Sequence, residues 1–430
     1  MRGARAAARN AALAAAALQT IALGGGTFHY QALRVAYLTD IEGLWSKLAS
    51  FATQNPFVAV DAAGRLVVAP GARFVFGGDA IDRGPEARRI VRTLLEAKRR
   101  QPEQVVLLAG NRDINKMRLV GELSGLPPAS TPEPVRSGSR SALLRWIFQN
   151  TMGAGKAFEH RAAELEHEGS AHDDEAVVQS FVDDLAPTGE LTEYLCACQL
   201  VHRDEGTLFV HGGVTDESLG FVPQAAHRFD AVDEWARALN AFYEEQCAAF
   251  RAREHDGYAA LVAYQAPVPG TRLNQASVVY GRPTDALQNP MLPTPEVVAS
   301  LRGAGIERVV LGHTPSGDCP AVLRDGAGFE LVLADNSHGR IEAGSQLFLD
   351  EDPRILGASV LDSGERVAIV TRLAAEGSGS PLGLRDARGR LVKARLQRGE
   401  YLVFSGFAGY RVEQSAVHES ALPRPFQVPR

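Results

Sequence analysis

The chain has 430 residues, 45% hydrophobic and 22% charged, with a formal net charge of −6. That is the composition of an ordinary soluble globular protein, long enough for one large domain with insertions or two modest ones. A general nucleic-acid footprint is not expected, although a mildly acidic protein can still build a local cationic pocket for an anionic substrate.

Residues 1–39 carry no Asp or Glu, and residues 1–32 read as an Ala/Arg-rich extension. A transit peptide, a weak secretory signal and a plain helix all fit it, which leaves a cytoplasmic or an organellar location open. Its apolar part is too short to span a bilayer, and no transmembrane segment is expected. Five apolar runs follow: LRVAYLTD (33–40), RFVFGGD (73–79), QVVLLAGN (104–111), GTLFVHGG (206–213) and ERVVLGH (307–313). None alternates cleanly, as expected of strands buried on both faces. Each ends on or beside Asp, Asn or His, which predicts one site along one sheet edge, at the strand C-termini.

Helical patterns lie between the runs. PEARRIVRTLLEAKRR starts with Pro85, a favoured early position, and TPEVVASLRGAG precedes the fifth strand. Residues 141–168 and 172–201 read as helices, and 126–140 as a loop. Residues 231–252 carry Val232, Trp235, Leu239, Phe242, Tyr243 and Phe250 near helical spacing, which reads as core packing. The segments at about 120–204 and 215–275 are read as helical cap insertions. The body is placed at 33–378 and a β-rich extension at 379–430. Cys196, Cys198, Cys247 and Cys319 make no disulfide framework, and the lone C-x-C pair lacks the second pair of a zinc site, so buried reduced thiols are expected.

The strand ends supply Asp40-Ile41-Glu42-Gly43, Gly78-Asp79-Ala80-Ile81-Asp82-Arg83-Gly84, Gly110-Asn111-Arg112-Asp113, His211-Gly212-Gly213 and Gly312-His313-Thr314-Pro315. Carboxylates, an amide and imidazoles together suit divalent manganese, iron or zinc. In this order the motifs resemble the calcineurin-like metallophosphoesterases, in particular the branch with protein Ser/Thr phosphatases and diadenosine-tetraphosphatase-like enzymes. GGDAIDRGP, VHGG and VVLGHTP carry the likeness, which covers roughly Val35 to Arg340.

The resemblance implies an α/β fold, a two-sheet β-sandwich flanked by helices. It implies two divalent metal ions, manganese ahead of iron or zinc, and hydrolysis of a phosphate monoester or phosphoanhydride. The substrate would be a phosphorylated small molecule or a phosphoprotein; oligomeric state is left open. Carried over residue by residue, Asp40 binds the first ion, Asp79 bridges, and Asn111, His211 and His313 bind the second. Arg83 and Arg282 are candidate phosphate contacts.

Two positions depart from the pattern. Asp-x-His reads Asp40-x-Glu42, and glutamate is still a metal-ligand type. Gly-Asn-His reads Gly110-Asn111-Arg112. Arginine, with a pKa above about 12, supplies no proton near neutral pH but can hold phosphoryl charge. Asp82 and Asp113 are expected to orient Arg112, and His338 is a candidate substitute acid. The alternative reading is a catalytically weak or inactive relative that binds metal or phosphorylated ligands.

Overall fold

In the structured strands, alternate side chains serve two different cores. Val35 and Tyr37 of β1 (Arg34–Leu38) enter one apolar cluster, and Ala36 and Leu38 enter another. That double burial is why the run shows no polar alternation. Full burial of such a side chain contributes roughly 1.5–3 kcal/mol. The computed structural model describes residues 34–422, apart from 255, 286, 374–379 and 410. The N-terminal extension lies outside the described residues.

Beyond β1, the hairpin β2 (Val58–Val60) and β3 (Leu66–Val68) precedes β4 (Ala72–Phe76) and β5 (Val105–Leu107). Then come β6 (Val201–Asp204), β7 (Thr207–Val210), β8 (Arg308–Pro315), β9 (Ala321–Arg324) and β10 (Glu330–Asp335). The last are β11 (Gln346–Leu349), β12 (Arg354–Val360), β13 (Arg366–Arg372), β14 (Leu391–Arg395), β15 (Glu400–Ala408) and β16 (Arg411–His418). One sheet has the order β13-β12-β11-β1-β4-β5, the other β6-β7-β8-β10-β9. Val35, Tyr37, Val75 and Val106 of the first sheet and Phe209, Val310, Val322 and Val332 of the second form one core cluster. Tyr37 stacks on Phe209 with ring centroids 5.8 Å apart. The molecule is the α/β two-sheet sandwich flanked by helices that the sequence predicts.

The parallel pairs β1–β4–β5 and β7–β8–β10 bring their C-terminal ends to one edge. The helical patterns appear with different boundaries. The stretches read as two long helices are four: Arg140–Asn150, Ala157–His167, Asp174–Asp184 and Glu190–Ala197. Gly153, at φ +59°, and the Pro187-Thr188-Gly189 turn interrupt them. The supposed loop at 126–140 holds one short helix, Glu133–Arg136. Val232–Ala252 is a helix whose aromatic stripe is buried, as its spacing predicts.

The C-terminal strands β14–β16 form a third sheet, whose Leu402 and Ala394 join the inter-sheet core. Lys393 on β14 is fully buried and donates from Nζ to the carbonyl of Ser316, just beyond β8. All four cysteines are free thiols and three are buried. No helix among the described residues is long and apolar enough to cross a membrane.

Candidate metal centre and its cationic wall

The strand ends are shaped by unusual backbone. Nine described non-glycine residues have positive φ, and five are Asp40, Glu42, Asp79, Asp82 and His313. Such concentration of left-handed backbone is a feature of functional sites, where surrounding structure must hold it. Close approach adds a second constraint. A Cβ on Gly110 would overlap Asp79 Oδ1, and one on Gly312 would overlap Asp40 Oδ2. These glycines let the backbone of one strand touch the carboxylate of the next.

Asp79, His211 and His313 are buried, and one ligand atom from each lies within 4.8 Å of the others. Asn111 Oδ1 is 3.2 Å from His211 Nε2, and Asp79 Oδ1 is 3.4 Å from it. His211 Nδ1 lies 2.7 Å from the Gly77 carbonyl, a contact that needs the ring proton on Nδ1. In the neutral ring Nε2 then carries a lone pair and faces two further acceptors. Acceptors converge in this way when a cation belongs among them, with the far ring nitrogen fixed by a carbonyl. His313 adds a buried Nε2 with no hydrogen-bond partner. Burial, then Arg282, His211 and Arg112, holds its imidazole well below the usual range, so it too offers a lone pair. This donor set fits a divalent ion of the manganese, iron or zinc group.

The other side of Asp79 is different. Arg112 Nε is 2.8 Å from Glu42 Oε1 and 3.5 Å from Asp79 Oδ2, and its Nη1 is 3.6 Å from Asp82 Oδ2. Arg83 Nη1 is 3.1 Å from Glu42 Oε2. Burial lifts the Glu42 carboxyl to about 7, with Arg112 and Arg83 pulling the other way. Burial also opposes charge on Arg112, but Glu42, Asp79 and Asp82 hold it above the ordinary arginine value. The guanidinium is therefore a fixed cation and no acid. Asp40 lies at the same edge, where its Oδ2 accepts from Thr39 Oγ1 at 2.5 Å and from the His313 N–H at 3.2 Å. Burial, Asp335 and Asp79 push its carboxyl well up.

One orientation assigned from the sequence changes. Asp113 does not hold Arg112. As the third residue of the helix Asn111–Asn115 it points back, accepting the N–H groups of Asp79 and Gly110 on Oδ2 and that of Ala80 on Oδ1. Burial, then Asp79, lifts it to about 8 against those hydrogen bonds. Asp82 does lie beside Arg112, but its near partner is the fully buried Lys116, whose Nζ is 2.7 Å away. Lys116, one helical turn after Arg112, was missed; i, i+4 spacing on a helix starting at Asn111 was the available signal. Asp335 was missed as well, although its run ELVLAD ends in an acid like the others. It is buried, and its charge bears on Asp40, Glu42 and Arg282.

Arg282 is half-buried with a partnerless Nε, and burial lowers its pKa while Asp335, Tyr280, Asp40 and Asp79 raise it. Burial lowers the His338 imidazole, Asp335 opposes that, and Arg83, Lys47 and Arg112 add to it.

No family model matches the chain, and no curated protein matches it. Several solved structures are similar. A cold-active protein-tyrosine phosphatase of a psychrophilic Shewanella species is 15% identical, over 79% of this chain and 82% of that one, with a TM-score of 0.42. A protein serine/threonine phosphatase from Saccharomyces cerevisiae is 13% identical over 79% and 80%, TM-score 0.36. A metallophosphoesterase from Sphaerobacter thermophilus is 12% identical over 80% and 88%, TM-score 0.29. Likenesses this distant carry none of the chemistry that follows.

Proposed function

We propose that the chain is a metal-dependent phosphoesterase acting on a phosphate monoester or phosphoanhydride. The observation that carries the reading is the convergence of lone pairs from Asp79, Asn111, His211 and His313 beside the cations Arg112 and Arg282. Those four residues would hold a divalent ion, whose contribution would be Lewis-acid polarisation of a phosphoryl oxygen. The chain's own part is positional and electrostatic. Arg112 Nη1 makes no hydrogen bond within the chain, Asp82 Oδ2 lying 3.6 Å away, and is the donor of the guanidinium left for a phosphoryl oxygen. Arg282 Nε offers a second such donor, and both gather charge as water attacks phosphorus in line.

Asp82 with Lys116, and Glu42 with Arg83, hold the guanidinium in place. A second ion at Asp40 and Glu42, as the resemblance implies, competes there with Arg112. Arg112, where the resemblance implies a general acid, holds its proton too tightly to serve as one. Loss of general-acid help typically removes about 10²–10⁴ in rate, and least from good leaving groups. Anhydrides and aryl esters are therefore the favoured substrates, phosphorylated small molecules ahead of phosphoserine in proteins.

The test is turnover of p-nitrophenyl phosphate, a dinucleotide polyphosphate and an alkyl phosphate, each with manganese and with EDTA. Metal-dependent turnover of the first two, with the alkyl ester slow, is the expected result. A second reading, a weak or inactive relative that binds phosphorylated ligands, draws support from the closed Glu42–Arg112 pair. It predicts ligand binding with no turnover of any of the three.

A further inference from the structure

The two departures from the signature, Glu42 and Arg112, are the two ends of one ion pair, 2.8 Å apart. Each is chemically incomplete alone. A buried Glu42 without a cation, or a buried guanidinium without an anion, would carry a large desolvation penalty. Together they neutralise each other at the place where a first metal ion would need open donors.

Those donors are engaged. Both Glu42 oxygens are taken, Oε1 by Arg112 and Oε2 by Arg83. Asp40 Oδ2 already accepts from the His313 N–H and from Thr39. Asp79 is divided: Oδ1 faces His211 Nε2 and accepts the Arg112 backbone N–H at 2.9 Å, and Oδ2 faces the cationic Arg112 Nε. A divalent ion bonds a carboxylate oxygen at about 2.0–2.2 Å. Placed on Glu42 Oε1 or Asp79 Oδ2, it would press directly against the guanidinium, cation on cation. The donors therefore fit one ion on the imidazole side of Asp79 and do not fit another on the Glu42 side.

We infer that Arg112 replaces the first metal ion, so that the chain builds a one-ion centre. Asp79, Asn111, His211 and His313 are its ligands, and the guanidinium clamped by Glu42 is the second positive charge on the substrate. The inference rests on the phosphoesterase reading of the site but concerns only how many ions it holds, which can be counted without turnover.

The experiment uses the full chain, stripped with EDTA, refilled with manganese and desalted. Elemental analysis should find one manganese per chain, with the paramagnetic resonance spectrum of isolated ions. Two ions per chain with an exchange-coupled spectrum would overturn the inference and leave the phosphoesterase reading standing. No bound ion would overturn the inference; if turnover of p-nitrophenyl phosphate were also absent, the phosphoesterase reading would fall with it. The double variant Glu42→His/Arg112→His should bind two ions, with a coupled spectrum. If it folds by circular dichroism yet stays at one, Arg112 is not what excludes the other. Arg112→Lys keeps the charge and should stay at one ion; a second ion there would also refute the proposal.

Discussion

The two oxygens of Asp79 look onto two chemically opposite regions. On the Oδ1 side, lone pairs of His211, His313 and Asn111 meet, with no ion pair to a chain cation among the described residues. On the Oδ2 side, Glu42, Asp82, Arg83, Arg112 and Lys116 pair by charge, with Arg112 Nη1 left without a hydrogen bond. Charge matching inside the chain costs a substitution at two motif positions, yet it makes that side independent of any ion. The other side depends on what it binds. The comparison teaches that one carboxylate divides acceptors left facing one another from charges matched within the chain.

The largest effect should come from breaking the shared residue. Asp79→Asn removes a charged ligand and should lower manganese affinity by more than the roughly 10–100-fold typical of lost outer-shell partners, with turnover falling further. Calorimetric titration checks this; an unchanged isotherm would remove Asp79 from the ligand set. Folding should change little, and a melting curve in EDTA tests that.

The next effect probes the closed side. Lys116 is fully buried, and Lys116→Met leaves Asp82 with only the more distant Arg112. Breaking one partner of a buried pair typically costs about 3–5 kcal/mol. Urea unfolding in EDTA should show that loss, while manganese stoichiometry holds. A drop in stoichiometry without a drop in stability would invert the comparison.

Asp113→Asn should cost less, about 1–3 kcal/mol, because an amide cannot accept all three N–H groups. Its larger use is in pH dependence. In the metal-free chain Asp113 keeps its proton to about pH 8 and Glu42 to about 7, against roughly 4 for an unfolded carboxyl. The folded state binds the extra protons, so both contribute stability that is lost as pH rises toward 8. His313 acts the other way. Its depressed imidazole gives stability that is present above about pH 6.5 and lost below it. Two carboxyls outweigh one imidazole, so the melting temperature in EDTA should fall as pH rises from about 5 to 8, and Asp113→Asn should flatten that fall, most visibly on its alkaline limb. An unchanged alkaline limb in the variant would contradict the account of Asp113.

The smallest effect belongs to the rim. The Arg83 side chain is 34% exposed, and the buried Glu42 keeps Arg112 as a second cation when Arg83 is lost. Arg83→Met should cost only about 0–1 kcal/mol. A loss as large as that of Lys116→Met would mean the closed side extends to the surface.

Much of this was legible in the sequence. Strand ends could be read because each apolar run stops at a polar residue, and Asp40, Asp79, Asn111, His211 and His313 do gather at one edge. The pairings across that edge could not be read, because they join residues such as Glu42 and Arg112 that lie far apart in the chain. Arg112 and Asp113 are adjacent letters, yet one faces the carboxylates and the other turns back to cap its own helix. Only the geometry of Asn111–Asn115 separates them. The helix breaks at Gly153 and Pro187 were visible letters, overridden by an apolar periodicity that runs on past them.

One consequence concerns the order in which the chain is made. Lys393 secures Ser316, three residues past His313, from a strand that leaves the ribosome some eighty residues later. Every candidate ligand is therefore synthesised before the tail that buttresses the last of them. On a nascent chain halted before β14, Asp79, Asn111 and His211 can meet while His313 still lacks its support. The C-terminal strands, made after every candidate ligand, thus act as a late brace on the strand end that carries His313.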